Sequence, residues 1–148
     1  MKYCCNLSSP EETFALGEKI SKNLKSGAFI ALRGDLGAGK TVLVKGMAKG
    51  LGITQRVTSP TFTIMCQYFG NKELYHFDLY RVTEDECYDL GFDDFFFDET
   101  VICAVEWSEN LSSFPSHTIE ITVNKIDEEK RQIEIIDEKN LLKEEFFK

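Results

Sequence analysis

A chain of 148 residues, 43% hydrophobic with twelve Phe, is long enough to close a substantial core as one domain spanning residues 1–148. Its longest unbroken apolar runs are about five residues, Ala28–Leu32 and Val101–Val105, far short of the ~20 that a membrane-spanning helix needs. The net charge of −8 is unevenly placed. Residues 1–81 carry a balance of +5 and residues 82–148 a balance of −13, with eight acids and no base between Val82 and Glu99. Such a surface repels nucleic-acid phosphates, so any RNA in this protein's function is expected to be held mainly by a partner.

Met1–Asn6 carries no apolar signal core, and a cytoplasmic protein is expected. The five cysteines are odd in number and contain no C-x-x-C pair, as suits reduced thiols. Cys4-Cys5 reads as small apolar filling at the chain start, since His76 and His117 are not spaced to complete a zinc site. Ser9-Pro10-Glu11-Glu12 is a capping box, with Ser9 as N-cap, Pro10 at the first helical position and Glu12 reaching back. The helix it opens is expected to run to about Leu24, with Phe14, Gly17, Ile20 and Leu24 on one side. Lys25-Ser26-Gly27 ends it, and Ala28–Leu32 follows as a buried strand.

Lys40 to Leu51 reads as a second helix, closed by Gly52. Val57–Thr61 reads as a loop in which Pro60 forces Ser59 toward extended geometry. Phe62–Phe69 and Glu73–Tyr80 flank Gly70-Asn71-Lys72 as a hairpin. Thr83 to Leu90 reads as a short acidic helix closed by Gly91, and Val101–Val105 as a second buried strand. Thr118–Val123 and Arg131–Ile136 alternate around a polar turn as a second hairpin, and a terminal helix is expected over Asn140–Phe147. Buried strands beside helices, together with alternating hairpins, imply an α/β three-layer sandwich whose mixed sheet includes antiparallel hairpins.

Between the first buried strand and the second helix stands Gly34-Asp35-Leu36-Gly37-Ala38-Gly39-Lys40-Thr41, which fits the phosphate-binding pattern Gly-x4-Gly-Lys-Ser/Thr. Glycines let a tight loop turn its N–H groups inward, and the next helix aims its positive dipole end at the anion. Lys40 can then reach the β/γ-phosphates and the Thr41 hydroxyl can ligate Mg²⁺. Phosphoryl chemistry also needs a second metal-holding group. Ile102–Glu106 is an apolar strand ending in a carboxylate, which makes Glu106 the candidate, and Trp107, the only Trp, follows it directly. His76 and Asp78 share one strand face, opposite Tyr75, Phe77 and Leu79, and could orient water or outer metal ligands. Arg81 could neutralise phosphate or pair with a carboxylate. Asn124-Lys125-Ile126-Asp127 looks like a guanine-reading motif, but the alternation of Ile119, Ile121 and Val123 before it marks a hairpin turn.

Taken together, Gly34–Thr41, Ser59-Pro-Thr-Phe-Thr63, Tyr75-His-Phe-Asp-Leu-Tyr-Arg81, Asp89-Leu-Gly-Phe92 and Val105-Glu-Trp107 resemble, in order and approximate spacing, the TsaE (YjeE) family, the bacterial ATPases of tRNA threonylcarbamoyladenosine synthesis. The resemblance covers roughly residues 9–110. It implies a P-loop ATPase that joins the TsaB and TsaD proteins. TsaD transfers a threonylcarbamoyl group to adenosine 37 of tRNAs reading codons that begin with A, and ATP hydrolysis resets that complex between turnovers. It further implies that Asp35 and Gly37–Thr41 (Gly37, Ala38, Gly39, Lys40, Thr41) grip ATP, and that Thr41 and Glu106 hold Mg²⁺. Lys40, Asp78 and Glu106 would serve hydrolysis. Ser59-Pro60-Thr61 would sense the γ-phosphate, Thr13 would lie near the adenosine, and Trp107 would matter for activity. Val42 stands where the family usually has a second Thr.

The expected function is thus a Mg²⁺-dependent ATPase acting through protein partners, touching tRNA only indirectly and no membrane. The rival readings are a small-molecule P-loop kinase and a non-hydrolytic, nucleotide-gated scaffold. A kinase usually needs a cationic lid, and the chain has only four arginines: Arg33, Arg56, Arg81 and Arg131.

Overall fold

A computed structural model describes residues 1–35 and 37–148. Seven strands form one sheet: β1 (Lys2–Leu7), β2 (Ala28–Arg33), β3 (Met65–Phe69), β4 (Glu73–Asp78), β5 (Ile102–Glu106), β6 (Thr118–Lys125) and β7 (Arg131–Ile136), in the order β1-β7-β6-β2-β5-β4-β3. The middle strands β6, β2, β5 and β4 run parallel, while β1, β7 and β3 pair antiparallel at the two sides. β2 and β5 are apolar on both faces because both faces are covered.

Parity along each strand sorts the core into two layers. Ile30, Leu32, Ala104, Ile121 and Ile133 pack beneath α1 (Pro10–Lys22) and α2 (Lys40–Gly50). Phe29, Ala31, Phe77 and Val105 face the opposite side, under α3 (Glu84–Asp89) and α4 (Phe92–Phe96). Full burial of Ile20, Leu43 and Met47 contributes roughly 2–3 kcal/mol each. The α1–α2 contact that buries them is close because Gly17 faces the Leu43 carbonyl and Gly46 faces the Phe14 carbonyl, with no room for a Cβ at either. This is the three-layer α/β architecture expected, with the phosphate-loop sequence at the carboxyl end of β2 and at the start of α2.

Several boundaries differ from expectation, each for a visible reason. Cys4 and Cys5 lie in a strand the sequence reading did not foresee, β1, paired with β7 from Lys2↔Ile136 to Leu7↔Arg131; Cys5 packs against the core as apolar filling, while Cys4 is exposed. Ser9 caps α1 by accepting the Glu12 amide at 3.2 Å, but the Glu12 carboxylate reaches back to the Ser8 amide at 3.1 Å rather than to Ser9. The helix ends at Lys22, and Leu24 instead bridges Leu142. The first hairpin arm does not begin at Phe62. Ile64 adopts φ 68°, a costly conformation for a β-branched residue, and the strand starts only at Met65. The second arm ends at Asp78.

The second buried strand sits one residue later than read, at Ile102–Glu106. α4 adds a helix that periodicity did not reveal. The terminal helix over Asn140–Phe147 is replaced by a 3₁₀ turn at Glu144–Phe147. The buried Asp137 carboxylate accepts the Leu141 and Leu142 amides, at 2.9 Å each, and this holds the chain out of helical geometry. Among the described residues no helix is long and apolar enough to cross a membrane.

Candidate nucleotide site

Gly37 and Gly39 lie at φ 79° and φ 105°, left-handed values that side-chain-bearing residues rarely adopt, and Gly39 is the N-cap of α2. The loop so formed turns onto the first turn of an 11-residue helix, a ready site for an anion. It lines a cleft of about 640 Å³, within the range of small-molecule sites. The cleft brings together residues from distant parts of the chain: Asp35, Gly37, Gly39, Lys40 and Thr41 from the loop, Ser59 and Thr61 from the Pro60 segment, Asp78 from the end of β4, and Glu106 and Trp107 from the end of β5. Ala38 is not among the lining residues: its side chain is buried in the core beneath α1 and α2. Thr13 does not line the cleft: it is buried in α1, its hydroxyl donating to the Ser9 carbonyl at 3.4 Å. Leu36 lies outside the described residues.

Sheet register sets the chemistry at the carboxyl edge. Asp78 sits directly across from Glu106, which is also paired with Leu32 of β2. His76, Asp78 and Glu106 share the strand face that looks toward α2. The polar face of β4, readable as solvent-exposed, is therefore buried, with His76 fully so. Glu106 Oε2 lies 2.7 Å from His76 Nε2, and Glu106 Oε1 lies 3.4 Å from Lys40 Nζ. Burial raises the carboxyl pKa of Glu106, but the His76 hydrogen bond and the charges of His76 and Lys40 outweigh it, so the group is held below the usual carboxylate range.

Lys40 is 7% exposed and donates to the Gly34 carbonyl at 2.6 Å, its ammonium 5.5 Å from the centre of the Trp107 ring. Trp107 itself holds φ 60° and packs against Tyr80. Asp78 Oδ1 accepts the Tyr80 amide at 3.0 Å. Ser59 and Thr61 join hydroxyls at 2.7 Å. Arg81, exposed, pairs with no carboxylate among the described residues but lies over the Phe62 ring at 5.0 Å and at the cleft wall.

The donor set suits a hard divalent cation shared with phosphate oxygens. The ionised Glu106 carboxylate and the Thr41 hydroxyl line the cleft beside the anion cradle, and among the described residues no group of three or more His, Cys, Asp or Glu forms a closed metal cage. Asn124-Lys125-Ile126-Asp127 closes the β6–β7 hairpin: Asp127 Oδ1 accepts the amides of Glu129 and Lys130, as a turn residue does. Sequence reasoning missed Arg131 as a member of the site. It starts β7, beyond the stretch that carried the resemblance, and nothing near it signals phosphate chemistry. Yet its side chain reaches the loop and lines the cleft.

The profile of the family described as "Threonylcarbamoyl adenosine biosynthesis protein TsaE" matches residues 7–133. The tRNA threonylcarbamoyladenosine biosynthesis protein TsaE of Bacillus subtilis is 44% identical over 127 residues, covering 84% of this chain and 79% of the relative. Its counterpart in Treponema pallidum is 36% identical over 133 residues, covering 88% and 98%. The crystal structure of Bacillus subtilis YdiB superposes with a TM-score of 0.78 at 34% identity, covering 93% of this chain and 86% of that one. A match of this extent in sequence, carried by the same P-loop-like fold, makes the chain a member of the TsaE family.

Proposed function

We propose that this chain is a Mg²⁺-dependent ATPase that serves threonylcarbamoyladenosine formation on tRNA by docking to TsaB and TsaD partner proteins. The observation that carries the reading is the convergence, in one cleft, of the glycine loop at the start of α2 with the buried, ionised Glu106. Family membership supports the tRNA-modification role, since the relatives are named for it.

In this reading the amides of residues 37–41 bind the phosphate oxygens and the α2 dipole favours their charge. Lys40 exchanges its Gly34 carbonyl for the β/γ-phosphates. Thr41 and Glu106 would hold Mg²⁺, which neutralises charge developing on the phosphoryl oxygens. His76 keeps Glu106 oriented and charged. Asp78 orients the attacking water, and the Ser59-Pro60-Thr61 segment closes on the γ-phosphate. The acidic stretch 82–99 supports an indirect relation to tRNA, because such a surface does not attract a polyanion.

Labelled ATP tests the chemistry. Phosphate should be released to water, and Lys40→Ala should abolish release and fail to restore modified tRNA in depleted cells. Transfer of label to a metabolite would favour a kinase. Full rescue by Lys40→Ala would favour a nucleotide-gated scaffold without turnover.

A further inference from the structure

A phosphate loop grips only if its amides point inward. Each peptide unit is planar, so the carbonyls of the same units must point outward and find partners there. The unit that carries the Ala38 amide ends in the Gly37 carbonyl, and the unit that carries the Gly39 amide ends in the Ala38 carbonyl. Both carbonyls are taken by one side chain, 93 and 94 residues away in sequence: Arg131 Nε donates to Ala38 O at 2.6 Å, and Arg131 Nη2 to Gly37 O at 3.5 Å. The remaining nitrogen, Nη1, donates to the carbonyls of Asp127, Glu128 and Lys130 at 2.8, 3.4 and 3.0 Å. The Arg131 backbone is fixed in the sheet between Lys125 of β6 and Leu7 of β1.

We propose that Arg131 is a positioning residue that presets the phosphate loop: from β7 it clamps the Ala38 and Gly37 carbonyls, so that the Gly39 amide faces the anion and the turn closed by the Ala38 amide on the Asp35 carbonyl at 3.0 Å is held before nucleotide arrives. The inference rests on the phosphate-binding reading of the loop. A rigid planar fork is what the geometry uses, because two carbonyls are held at once while a third nitrogen is anchored elsewhere. A lysine at this position carries the same charge but cannot bridge both. With the loop preset, the ordering cost is not charged to binding. Without the clamp, affinity falls by the fraction of time the loop is competent.

The test uses the full chain with Arg131→Gln and Arg131→Lys, a thermal melt, and amide hydrogen exchange in the nucleotide-free protein. Exchange at Ala38, whose amide donates to the Asp35 carbonyl, should accelerate in both variants while amides of β6 and β7 keep their protection. Affinity for ATP and for ADP should fall together, by about 10- to 100-fold, with kcat at saturating ATP within about 3-fold of wild type. The Lys variant should behave like the Gln variant. Restoration of affinity by Lys, or a loss confined to ATP, would mean that Arg131 acts as a charge on the nucleotide, and unchanged exchange at Ala38 would mean that it does not hold the loop. Each result overturns the proposal. Should the Gln variant fail to fold, the Lys variant alone decides through the same exchange measurement. If the wild-type chain binds no nucleotide, the ATPase reading fails, and the exchange measurement still judges the clamp by itself.

Discussion

Glu106→Gln separates the charge of this residue from its shape. The side chain is 8% exposed, with one oxygen 2.7 Å from His76 Nε2 and the other 3.4 Å from Lys40 Nζ. Gln keeps the volume and can still hydrogen-bond His76. It removes an attraction to Lys40 worth about 5 kcal/mol gross at an effective dielectric constant near 20. Most of that is offset, because a carboxylate no longer has to be stripped of water. The net loss of stability should be about 1–2 kcal/mol, or a fall in Tm of roughly 2–8 °C for a chain of this size.

Urea unfolding monitored by far-UV circular dichroism reads the stability, and phosphate release over a Mg²⁺ titration reads the chemistry. Turnover should fall at least ~100-fold, and the tightening of ATP binding by Mg²⁺ should disappear. The pH dependence has a fixed sign. The pKa of Glu106 is lower in the folded protein than its ordinary 4.5, so the native state binds fewer protons there. Its contribution is complete above that ordinary value and is lost as pH falls through the folded value; the Gln variant should lack this acid-side component. Wild-type turnover by the Gln variant with an unaltered Mg²⁺ requirement would refute the role given to this carboxylate.

Gly46→Ala places a methyl group against the Phe14 carbonyl and must push α1 from α2, so a stability loss of about 2–4 kcal/mol is expected in urea melts, against a gain of up to ~1 kcal/mol if helix propensity alone decided. Thiol alkylation of the native protein at pH 8 should modify the exposed Cys4 first. Cys87 is buried with its pKa pushed up by burial to about 11, leaving roughly one thiolate in a thousand at that pH, and burial pushes Cys103 up as well. Peptide mapping should find both unmodified until denaturant is added, and early labelling of Cys103 would contradict the packing of β5.

The loop, its helix and the strand ending in Glu106 were legible because each obeys a local rule: glycines where φ must be positive, Lys-Thr at a helix start, and an apolar run closed by a carboxylate. The alternation that placed His76 and Asp78 on one face was legible too. What covers that face was not, because the cover is α2, which packs there only through the β2 crossover. Tyr3, Cys5 and Leu7 alternate as a strand should, yet β1 is an edge strand that pairs with β7, at the far end of the chain. The terminal helix was misjudged because the apolar spacing of Leu141, Leu142, Phe146 and Phe147 suits a helix, and the two hydrogen bonds from the Leu141 and Leu142 amides to buried Asp137 override it. Arg131 was beyond local reasoning altogether, since its role depends on a carbonyl 93 residues away.

The most direct test of the central claim is a crystal structure with a non-hydrolysable ATP analogue and Mn²⁺ in place of Mg²⁺, located by its anomalous signal. The triphosphate should lie along the amides of residues 37–41, with the metal peak in coordination reach of the Thr41 hydroxyl and of Glu106, directly or through one water. A metal held elsewhere, with Glu106 still turned to Lys40 beside the bound triphosphate, would contradict the account.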